Sequence, residues 1–269
     1  MSDSNLAWES PVKKLLRVGE PVVAATITVN SVDVAAHAAT MGFDFLWIEM
    51  EHSPITLETL RNMVLATRGM KALLFARVPV NETWMAKRVL DAGVHGVIFP
   101  FTSTPELAAQ AAAACRYPPA GRRGSGANLA RLSWPDAAAY PDSADKNVVV
   151  VVIIEEARAV ENVEAIAATP GIDVMFIGTS DLSFSLGLRG NQDHPRLQEA
   201  IEKVVAAGKK HGKVVGRPAA TPELAEQYAA QGFRFFQAPT ELGFMATGAC
   251  EYLAPFGKSA VKAKSKTIY

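Results

Sequence analysis

Two carboxylates follow strongly apolar segments of the chain, and together they could hold a metal ion. Glu155 comes directly after residues 148–154, and Asp181 follows residues 174–177 after a short Gly-Thr-Ser turn. Two carboxylates that converge repel each other unless a cation or a shared proton offsets their charge. Hard oxygen ligands suit Mg²⁺ or Mn²⁺, and Co²⁺ is a further candidate. The alternative is structural: one carboxylate caps a helix and the other pairs with an arginine.

A histidine and an arginine follow two other apolar segments. His52 comes shortly after residues 43–49 and is flanked by Glu49 and Glu51, and a neighbouring carboxylate can orient an imidazole and raise its basicity. Arg77 ends residues 72–77 and offers a rigid positive fork for a carboxylate or a developing oxyanion. A structural histidine, and a salt bridge from Arg77 to Glu49, are the alternatives. The four residue types together favour a catalytic site.

These residues belong to a repeated alternation of apolar and amphipathic segments, which predicts strands alternating with helices. Thr56, Thr104 and Thr221 stand where helix N-caps are expected. The predicted strands are 22–28, 43–49, 72–77, 96–100, 148–154, 174–177, 214–216 and 233–237, and the predicted helices are 57–67, 84–91, 105–115, 160–168, 197–211 and 222–231. Eight nearly all-apolar strands indicate a parallel sheet buried on both faces.

The pattern therefore predicts an α/β protein, a (β/α)₈ barrel, over residues 1–269 as a single domain. An open, doubly wound sheet is the alternative. In a barrel the active site is built from the loops after the strands, where Glu49, His52, Arg77, Glu155 and Asp181 stand. The predicted domain begins with a short polar N-terminal segment and ends with a basic C-terminal tail. Residues 116–147 form a long stretch that we expect to be functional or interfacial.

The composition excludes several classes of partner. Hydrophobic residues make up 49% and charged residues 20% of 269, and the formal net charge is zero. No overall basic field exists to attract nucleic acid or an anionic membrane. No apolar run approaches the length of a membrane span. We expect a soluble, cytoplasmic protein that acts on a small molecule.

The lysines argue against an imine-forming aldolase, which needs a desolvated lysine at the barrel mouth. Lys71, Lys146 and Lys213 precede predicted strands, and Lys87 falls within a predicted helix. A metal ion is therefore the better candidate for the electron sink.

Four elements, taken in order, resemble one enzyme family. They are Asp-Phe-Leu-Trp-Ile-Glu-Met-Glu-His-Ser-Pro at 44–54, Arg77, Tyr-Pro-Pro-Ala-Gly-Arg-Arg-Gly at 117–124, and Gly-Thr-Ser-Asp-Leu-Ser at 178–183. The chain resembles the HpcH/HpaI aldolase/citrate lyase family, the class II metal-dependent pyruvate aldolases that act on 4-hydroxy-2-oxoheptane-1,7-dioate and related acids. The resemblance implies a barrel of the phosphoenolpyruvate/pyruvate-domain type. It also implies a homo-oligomer, a trimer or hexamer, often with the last helix exchanged.

By matching positions, the resemblance implies a role for each residue. Glu155 and Asp181 bind the metal, and His52 acts as the base, directly or through water. Arg77 holds the 2-oxo oxygen, and the backbone amides of Ser180 and Asp181 receive the pyruvate carboxylate. The products are pyruvate, or a close 2-oxo acid, and an aldehyde.

The sequence departs from the family's usual pattern beside these positions. Glu49 stands where many members have an aspartate that orients the histidine. Ile153 replaces a glutamine and Thr179 a proline, and Glu241 and Thr247 replace an Asp–Arg pattern. Two other functions stay open at this stage: a carbon–carbon lyase acting on a coenzyme A thioester, and a catalytically idle barrel with an assembly role.

Overall fold

Eight parallel strands close into a barrel in the computed structural model, which describes residues 8–258. Each strand pairs with its neighbours in sequence, and the last pairs with the first. The strands are β1 (Val22–Ile27), β2 (Phe45–Glu49), β3 (Leu73–Arg77), β4 (Gly96–Phe99), β5 (Val149–Ile154), β6 (Val174–Ile177), β7 (Val214–Pro218) and β8 (Phe235–Thr240). The predicted (β/α)₈ barrel is confirmed, and the open, doubly wound sheet is wrong.

Helices follow the strands and surround the barrel. They are α1 (Pro11–Arg17), α2 (Val32–Ala38), α3 (Leu57–Ala66), α4 (Thr83–Ala92), α5 (Pro105–Ala114), α6 (Asn128–Arg131), α7 (Tyr140–Asn147), α8 (Ala157–Glu161), α9 (Val163–Ala168), α10 (Thr179–Ser185), α11 (Pro195–Lys210), α12 (Pro222–Ala230) and α13 (Glu241–Leu253), followed by a 3₁₀ turn at Ala254–Phe256. The hydroxyls of Thr56, Thr104 and Thr221 each accept a backbone N–H three residues on, at 3.3 Å. The three predicted N-caps are confirmed.

The structure differs from the sequence prediction at several helices. The single helix predicted over 160–168 is two helices, α8 and α9, because Asn162 leaves helical geometry between them. The long stretch 116–147, for which no helix was predicted, contains the two short helices α6 and α7. The predicted basic tail, with Lys258, Lys262, Lys264 and Lys266, lies mostly outside the described residues, since only Lys258 falls within them.

The barrel interior is filled by aromatic and branched side chains facing small residues. Phe45 lies between Phe75 and Phe235, with ring centroids 4.5 and 4.7 Å apart. A Cβ atom added at Gly96 would lie 2.6 Å from the Phe75 ring, and one at Gly216 would lie 2.6 Å from the backbone oxygen of Phe235. Glycine on β4 and β7 therefore makes room for the rings of the neighbouring strands.

Helix α1 closes the amino-terminal end of the barrel. Val12 is fully buried and packs with the inner core, and Lys13 pairs with Asp173 at 3.1 Å. The candidate site residues lie at the opposite end, where the strands finish. Among the described residues, no helix is long and apolar enough to cross a membrane.

Candidate functional site

The polar residues predicted at the strand ends meet at the barrel mouth. Glu49 ends β2 and Arg77 ends β3, and the two are paired in register. Glu155 follows β5, and Asp181 lies in the first turn of α10, directly after β6. Parallel strands bring their carboxyl ends to one rim, so four separate sequence positions form one cluster.

Arg77 lies at the centre of this cluster, surrounded by three carboxylates. Its Nη1 lies 3.4 Å from Oε2 of Glu49, and its Nη2 lies 3.7 Å from Oε2 of Glu155. Nη2 also forms a short ion pair with Oε2 of Glu51. All four side chains are less than a tenth exposed. The Arg77–Glu49 salt bridge therefore exists, but as one contact within a buried cluster of charges.

Negative charge exceeds positive charge in this cluster. Burial raises the pKa of Glu155 to about 7, against the opposing effect of Arg77. Burial also raises the pKa of Glu51 to about 7, again against Arg77. The negative charge of Asp181 raises both pKa values further. One guanidinium does not balance four carboxylates, so a further cation would relieve their repulsion.

The available oxygen atoms fit a divalent cation bound by Glu155 and Asp181. Oε1 of Glu155 accepts the backbone N–H of Phe101 at 2.6 Å, which fixes the carboxylate and leaves Oε2 towards Arg77. Asp181 is partly exposed at the start of α10. Within residues 8–258, no group of three or more His, Cys, Asp or Glu side chains could hold a metal ion. Two carboxylates completed by water or substrate oxygens are a donor set that Mg²⁺ accepts.

Glu49 organises the loop that carries His52. Its Oε1 accepts the backbone N–H groups of Glu51 at 2.8 Å and His52 at 3.1 Å, and its Oε2 accepts Nε1–H of Trp47 at 3.2 Å. Glu49 thus acts on the backbone at His52, and its extra methylene compared with aspartate is accommodated by these contacts. The His52 imidazole places Nε2 3.8 Å from Oε2 of Glu51 and is 45% exposed. The ring is therefore accessible to a molecule in the mouth.

Gly178 explains why β6 can approach Glu155 so closely. A Cβ atom at this position would lie 2.8 Å from Cβ of Glu155 and 2.9 Å from its Oε2. The same Cβ would lie 3.1 Å from Cγ2 of Ile153, the residue in place of the usual glutamine. The neighbour of Glu155 on this side is therefore apolar and tightly packed.

The start of α10 carries Ser180 and Asp181. Both are partly exposed, and the turn is fixed by Ser183, whose hydroxyl donates to the backbone oxygen of Ser180 at 2.6 Å. The first N–H groups of a helix have no partner within it. The Ser180 and Asp181 amides are thus at the mouth, where the resemblance predicts them to receive a carboxylate.

Glu241 accepts hydrogen bonds from the loop after β1. Its carboxylate accepts the backbone N–H of Val29 at 2.6 Å and the hydroxyl of Thr28 at 2.8 Å. Thr247 bonds only within α13, to the backbone oxygen of Gly243. Glu241 therefore holds the loop after β1 and the start of α13 together.

Two participants were not predicted as site residues from the sequence. Glu51 was noted only as a neighbour of His52, yet it makes the shortest contact to Arg77. The sequence feature that could have indicated its role is the spacing of Glu49 and Glu51, two residues apart, because a loop can direct both side chains to the same side. Phe101 contributes through its backbone N–H and has a φ of 46°, and no side-chain pattern announces such a contact.

The geometry agrees with a family model that matches residues 27–247, described as HpcH/HpaI aldolase/citrate lyase. The chain belongs to this family. Its matched part includes strands β2 to β8, the last residue of β1, and every residue of the cluster.

Curated relatives and a solved structure support the assignment. The chain is 41% identical over 202 residues to a 5-keto-4-deoxy-D-glucarate aldolase of Klebsiella pneumoniae, which covers 75% of this chain and 79% of the relative. It is 37% identical over 217 residues to the enzyme of the same name from Salmonella arizonae, covering 81% and 85%. The structure of an HpcH/HpaI aldolase/citrate lyase family protein from Burkholderia cenocepacia superposes with a TM-score of 0.85 at 33% identity, covering 93% of this chain and 100% of that one.

The protein is therefore an enzyme of the carbon–carbon lyase class, as these relatives are aldolases. The alternative of a catalytically idle barrel has no support from them. Solved citrate lyases match at 15% and 17% identity, which shows the shared fold alone.

Proposed function

We propose that this protein is a metal-dependent aldolase that cleaves a 4-hydroxy-2-oxo acid to pyruvate, or a close 2-oxo acid, and an aldehyde. The observation that carries the proposal is the buried cluster in which one guanidinium faces Glu49, Glu51 and Glu155 beside Asp181. A site with this excess of carboxylates suits a bound cation, and the exposed His52 supplies a base beside it. A cytoplasmic location is part of the proposal.

The relatives suggest the chemical class of the substrate. Their named substrate, 5-keto-4-deoxy-D-glucarate, is a six-carbon diacid. Numbered from its other end, it has a 2-oxo group, an unsubstituted carbon 3 and a 4-hydroxyl group. It therefore contains the 4-hydroxy-2-oxo acid unit that an aldolase cleaves, and a polyhydroxylated diacid is the first substrate to test for this chain.

Each side chain at the mouth has a distinct part in the proposed reaction. The Ser180 and Asp181 amides hold the substrate carboxylate, and His52 removes the proton from the 4-hydroxyl group. The C3–C4 bond then breaks, its electron pair enters the 2-oxo unit as an enolate, and the former C4 leaves as an aldehyde. Arg77 stabilises the enolate oxygen. Protonation at C3 completes pyruvate.

Glu155 and Asp181 would hold the divalent cation, Mg²⁺, Mn²⁺ or Co²⁺. When bound, it supplies a Lewis acid that polarises the 2-oxo group and stabilises its developing negative charge. The Phe101 N–H and the close approach of Gly178 fix the Glu155 carboxylate for this role.

Pyruvate in D₂O provides the first test. The protein is expected to exchange the pyruvate methyl protons for deuterium, because enolate formation is the reverse of the last protonation. The methyl signal is followed by NMR before chelation, after chelation, and after restoring Mg²⁺ or Mn²⁺. Exchange should stop with the chelator and return with the metal.

A His52→Ala variant tests the base that is proposed for cleavage of the C3–C4 bond. It should lose cleavage of the 4-hydroxy-2-oxo acid, measured as pyruvate release, by a factor of about 10² to 10⁴. Exchange by fully chelated protein at an undiminished rate would contradict the metal requirement. Cleavage by the His52 variant at the wild-type rate would contradict the assignment of the base.

We further propose that the enzyme is a homo-oligomer, a trimer or hexamer by family likeness, in which α13 packs against another copy. None of the 13 residues of α13 is buried, although the helix is rich in apolar side chains. Leu242, Phe244, Met245 and Tyr252 are between 43% and 73% exposed. An apolar groove of about 680 Å³ lies beside them against α2. A single chain leaves this much apolar surface in water, which is typical of an interface.

Met245→Asp tests the interface, since the side chain is 67% exposed and its loss does not disturb the core. We expect wild-type protein to run as a trimer or hexamer and the variant as a smaller species with unchanged circular dichroism, measured by light scattering after gel filtration. Wild-type protein that runs as a monomer would exclude the proposed assembly.

A further inference from the structure

A groove on the outer side of the barrel contains a buried arginine without a charged partner. The groove has a volume of about 700 Å³ and lies between the loop before α11, the end of β7 and helix α12. Arg217 of β7 lines it and is only 8% exposed. Its Nε is buried without a hydrogen bond, and the guanidinium forms no ion pair with any residue from 8 to 258. Arg77, by contrast, has three carboxylates around it.

Arg217 points away from the mouth. Side chains alternate along a strand, and Val214 packs with the inner core while Val215 packs with the outer one. Arg217, two residues after Val215, is on the outer face, where its Cζ lies 3.6 Å from the centre of the Tyr228 ring of α12. A cation placed over an aromatic face is attracted to it, which holds the guanidinium in place.

The remaining requirement of this guanidinium is an anion. A charge removed from water is costly unless it is paired and hydrogen-bonded. Burial lowers the pKa of Arg217, as expected for a cation that has lost water without gaining a carboxylate. The Tyr228 ring offsets part of this cost but accepts no N–H in the guanidinium plane. A bound oxyanion would supply both the charge and the acceptors.

The rest of the lining indicates which anion. Uncharged side chains dominate it, among them Thr179, Gln192, Gln227 and Gln231. The charged residues among the described lining are Arg217 and Asp193, which form no ion pair with each other. The negative charge of Asp193 repels a dianion more strongly than it repels a monoanion. A single positive charge balances a carboxylate better than a phosphate dianion. Amide and hydroxyl groups both donate and accept hydrogen bonds, so they suit a ligand with several hydroxyl groups.

We propose that this groove is a binding site for a small hydroxy-carboxylate, in which Arg217 receives the carboxylate and the amide side chains contact the hydroxyl groups. Its anchoring residue, Arg217, lies on the outer face of the barrel and has no part in the proposed aldolase reaction. The groove borders the mouth through Thr179 and Ser180, which line the groove and precede Asp181 on α10.

D-Gluconate is the probe, titrated calorimetrically into the full-length protein. We expect one site per chain, and a dissociation constant that rises about tenfold to hundredfold in Arg217→Met, because one charge-assisted hydrogen-bonded pair is lost. D-Glucitol, with the hydroxyl groups but no carboxylate, should not bind measurably. Inorganic phosphate should bind more weakly than gluconate. Pyruvate methyl exchange should be unchanged in the variant, since Arg217 does not face the mouth.

Two further variants keep the test decisive if Arg217→Met fails to fold. Arg217→Lys retains the charge but not the planar fork, so gluconate affinity should fall to an intermediate value. Gln227→Leu changes an exposed side chain and should weaken gluconate binding while leaving the fold intact. Equal gluconate affinity in wild type and Arg217 variants would overturn the proposal. So would tighter binding of phosphate, or dissociation of the oligomer by Arg217→Met, which would mean that a second copy supplies the missing anion.

Discussion

The Glu155→Gln variant is expected to lose aldolase turnover while keeping its fold. Glutamine preserves the volume of the side chain, and its amide oxygen can still accept the Phe101 N–H. It cannot, however, supply the negative charge that a divalent cation requires. The loss of turnover should exceed the 10- to 100-fold effect that is typical of removing a group behind a metal ligand. Pyruvate release and Mn²⁺ binding by calorimetry are the measurements.

The stability of this variant should not fall at pH 8. The pKa of Glu155 is raised from 4.5 to about 7, chiefly by burial, so the folded protein retains a proton that the unfolded chain loses. This carboxyl therefore costs nothing below about pH 4.5, and its cost to stability grows until pH 7 and then stays constant. Glutamine removes that cost. Urea unfolding at pH 5 and pH 8 should show a gain, if any, at the higher pH.

Glu156→Gln is the matched control, because it makes the same chemical change at the next residue. The Glu156 carboxylate contacts the hydroxyl of Ser103 and is not part of the Arg77 cluster. Turnover and metal binding should stay near wild-type values. A Glu155→Gln enzyme that binds Mn²⁺ and turns over as the control does would remove Glu155 from the metal site.

Metal binding by the wild-type enzyme should strengthen as the pH rises towards 7. A ligand must be deprotonated to bind, and burial raises the pKa of Glu155 to about 7 in the metal-free protein. Below that value the affinity should fall by up to about tenfold per pH unit for this one group. Calorimetry in buffers of different ionisation enthalpy would report the released proton. An affinity that does not change between pH 6 and 8 would contradict this linkage.

The barrel was predictable because its strands are long apolar runs and its helices have strong N-caps. Most strand bounds differ from the prediction by one or two residues, and β6 agrees fully. The largest error is β8, which begins at Phe235 and extends to Thr240, past Pro239. A proline is permitted there because the strand is ending and no donor is required of it.

The helices that sequence reasoning omitted share a physical cause. Helix α13 contains Gly243 and Gly248 and has apolar residues on all sides, so it shows no amphipathic pattern facing this barrel. Helix α10 is too short for periodicity, since it has only seven residues. Helix α1 was not predicted, although Val12 enters the barrel core. A helix that is anchored by one buried side chain, or that packs against another copy of the chain, does not produce a periodic apolar pattern in the sequence.

At the candidate site, the sequence predicted that the residues lie at one end of the barrel but did not predict their contacts. Strand ends predicted Glu49, Arg77 and Glu155, because a barrel brings such positions together. The conformation of the loop after β2 was not predictable, and it decides that Glu49 accepts two backbone N–H groups while Glu51 turns towards Arg77. The roles assigned to all the candidate site residues stay predictions: Glu49, His52, Arg77, Glu155, Ser180 and Asp181.

Arg77→Met is expected to impair both the reaction and the fold. The guanidinium is the cation that faces Glu49, Glu51 and Glu155, and methionine would leave these buried carboxylates without it. Removing one partner of a buried ion pair typically costs about 3–5 kcal/mol. Loss of the group that stabilises the enolate oxygen should also lower turnover about 10²- to 10³-fold. Urea unfolding and pyruvate release measure the two effects.

The destabilisation should grow with pH, and its sign follows from the shifted carboxyls. Burial raises the pKa values of Glu51 and Glu155 from 4.5 to about 7, and Arg77 opposes that rise. Without Arg77 the folded-state values rise further, so the folded variant holds its protons over a wider pH range than the unfolded chain. Its free energy of unfolding should therefore lie closest to wild type near pH 5 and fall further behind as the pH passes 7.

Arg77→Lys distinguishes charge from geometry, because lysine keeps the positive charge but not the two-pronged fork. It should recover most of the stability at pH 8, where the carboxylates need a cation, yet little of the turnover, which needs a donor directed at the enolate oxygen. A lysine variant that recovers turnover fully would mean that Arg77 acts as a charge alone. A methionine variant that is equally destabilised at pH 5 and pH 8 would mean that Arg77 stabilises the mouth by packing. Its charge interactions with the buried carboxylates would then not explain the destabilisation.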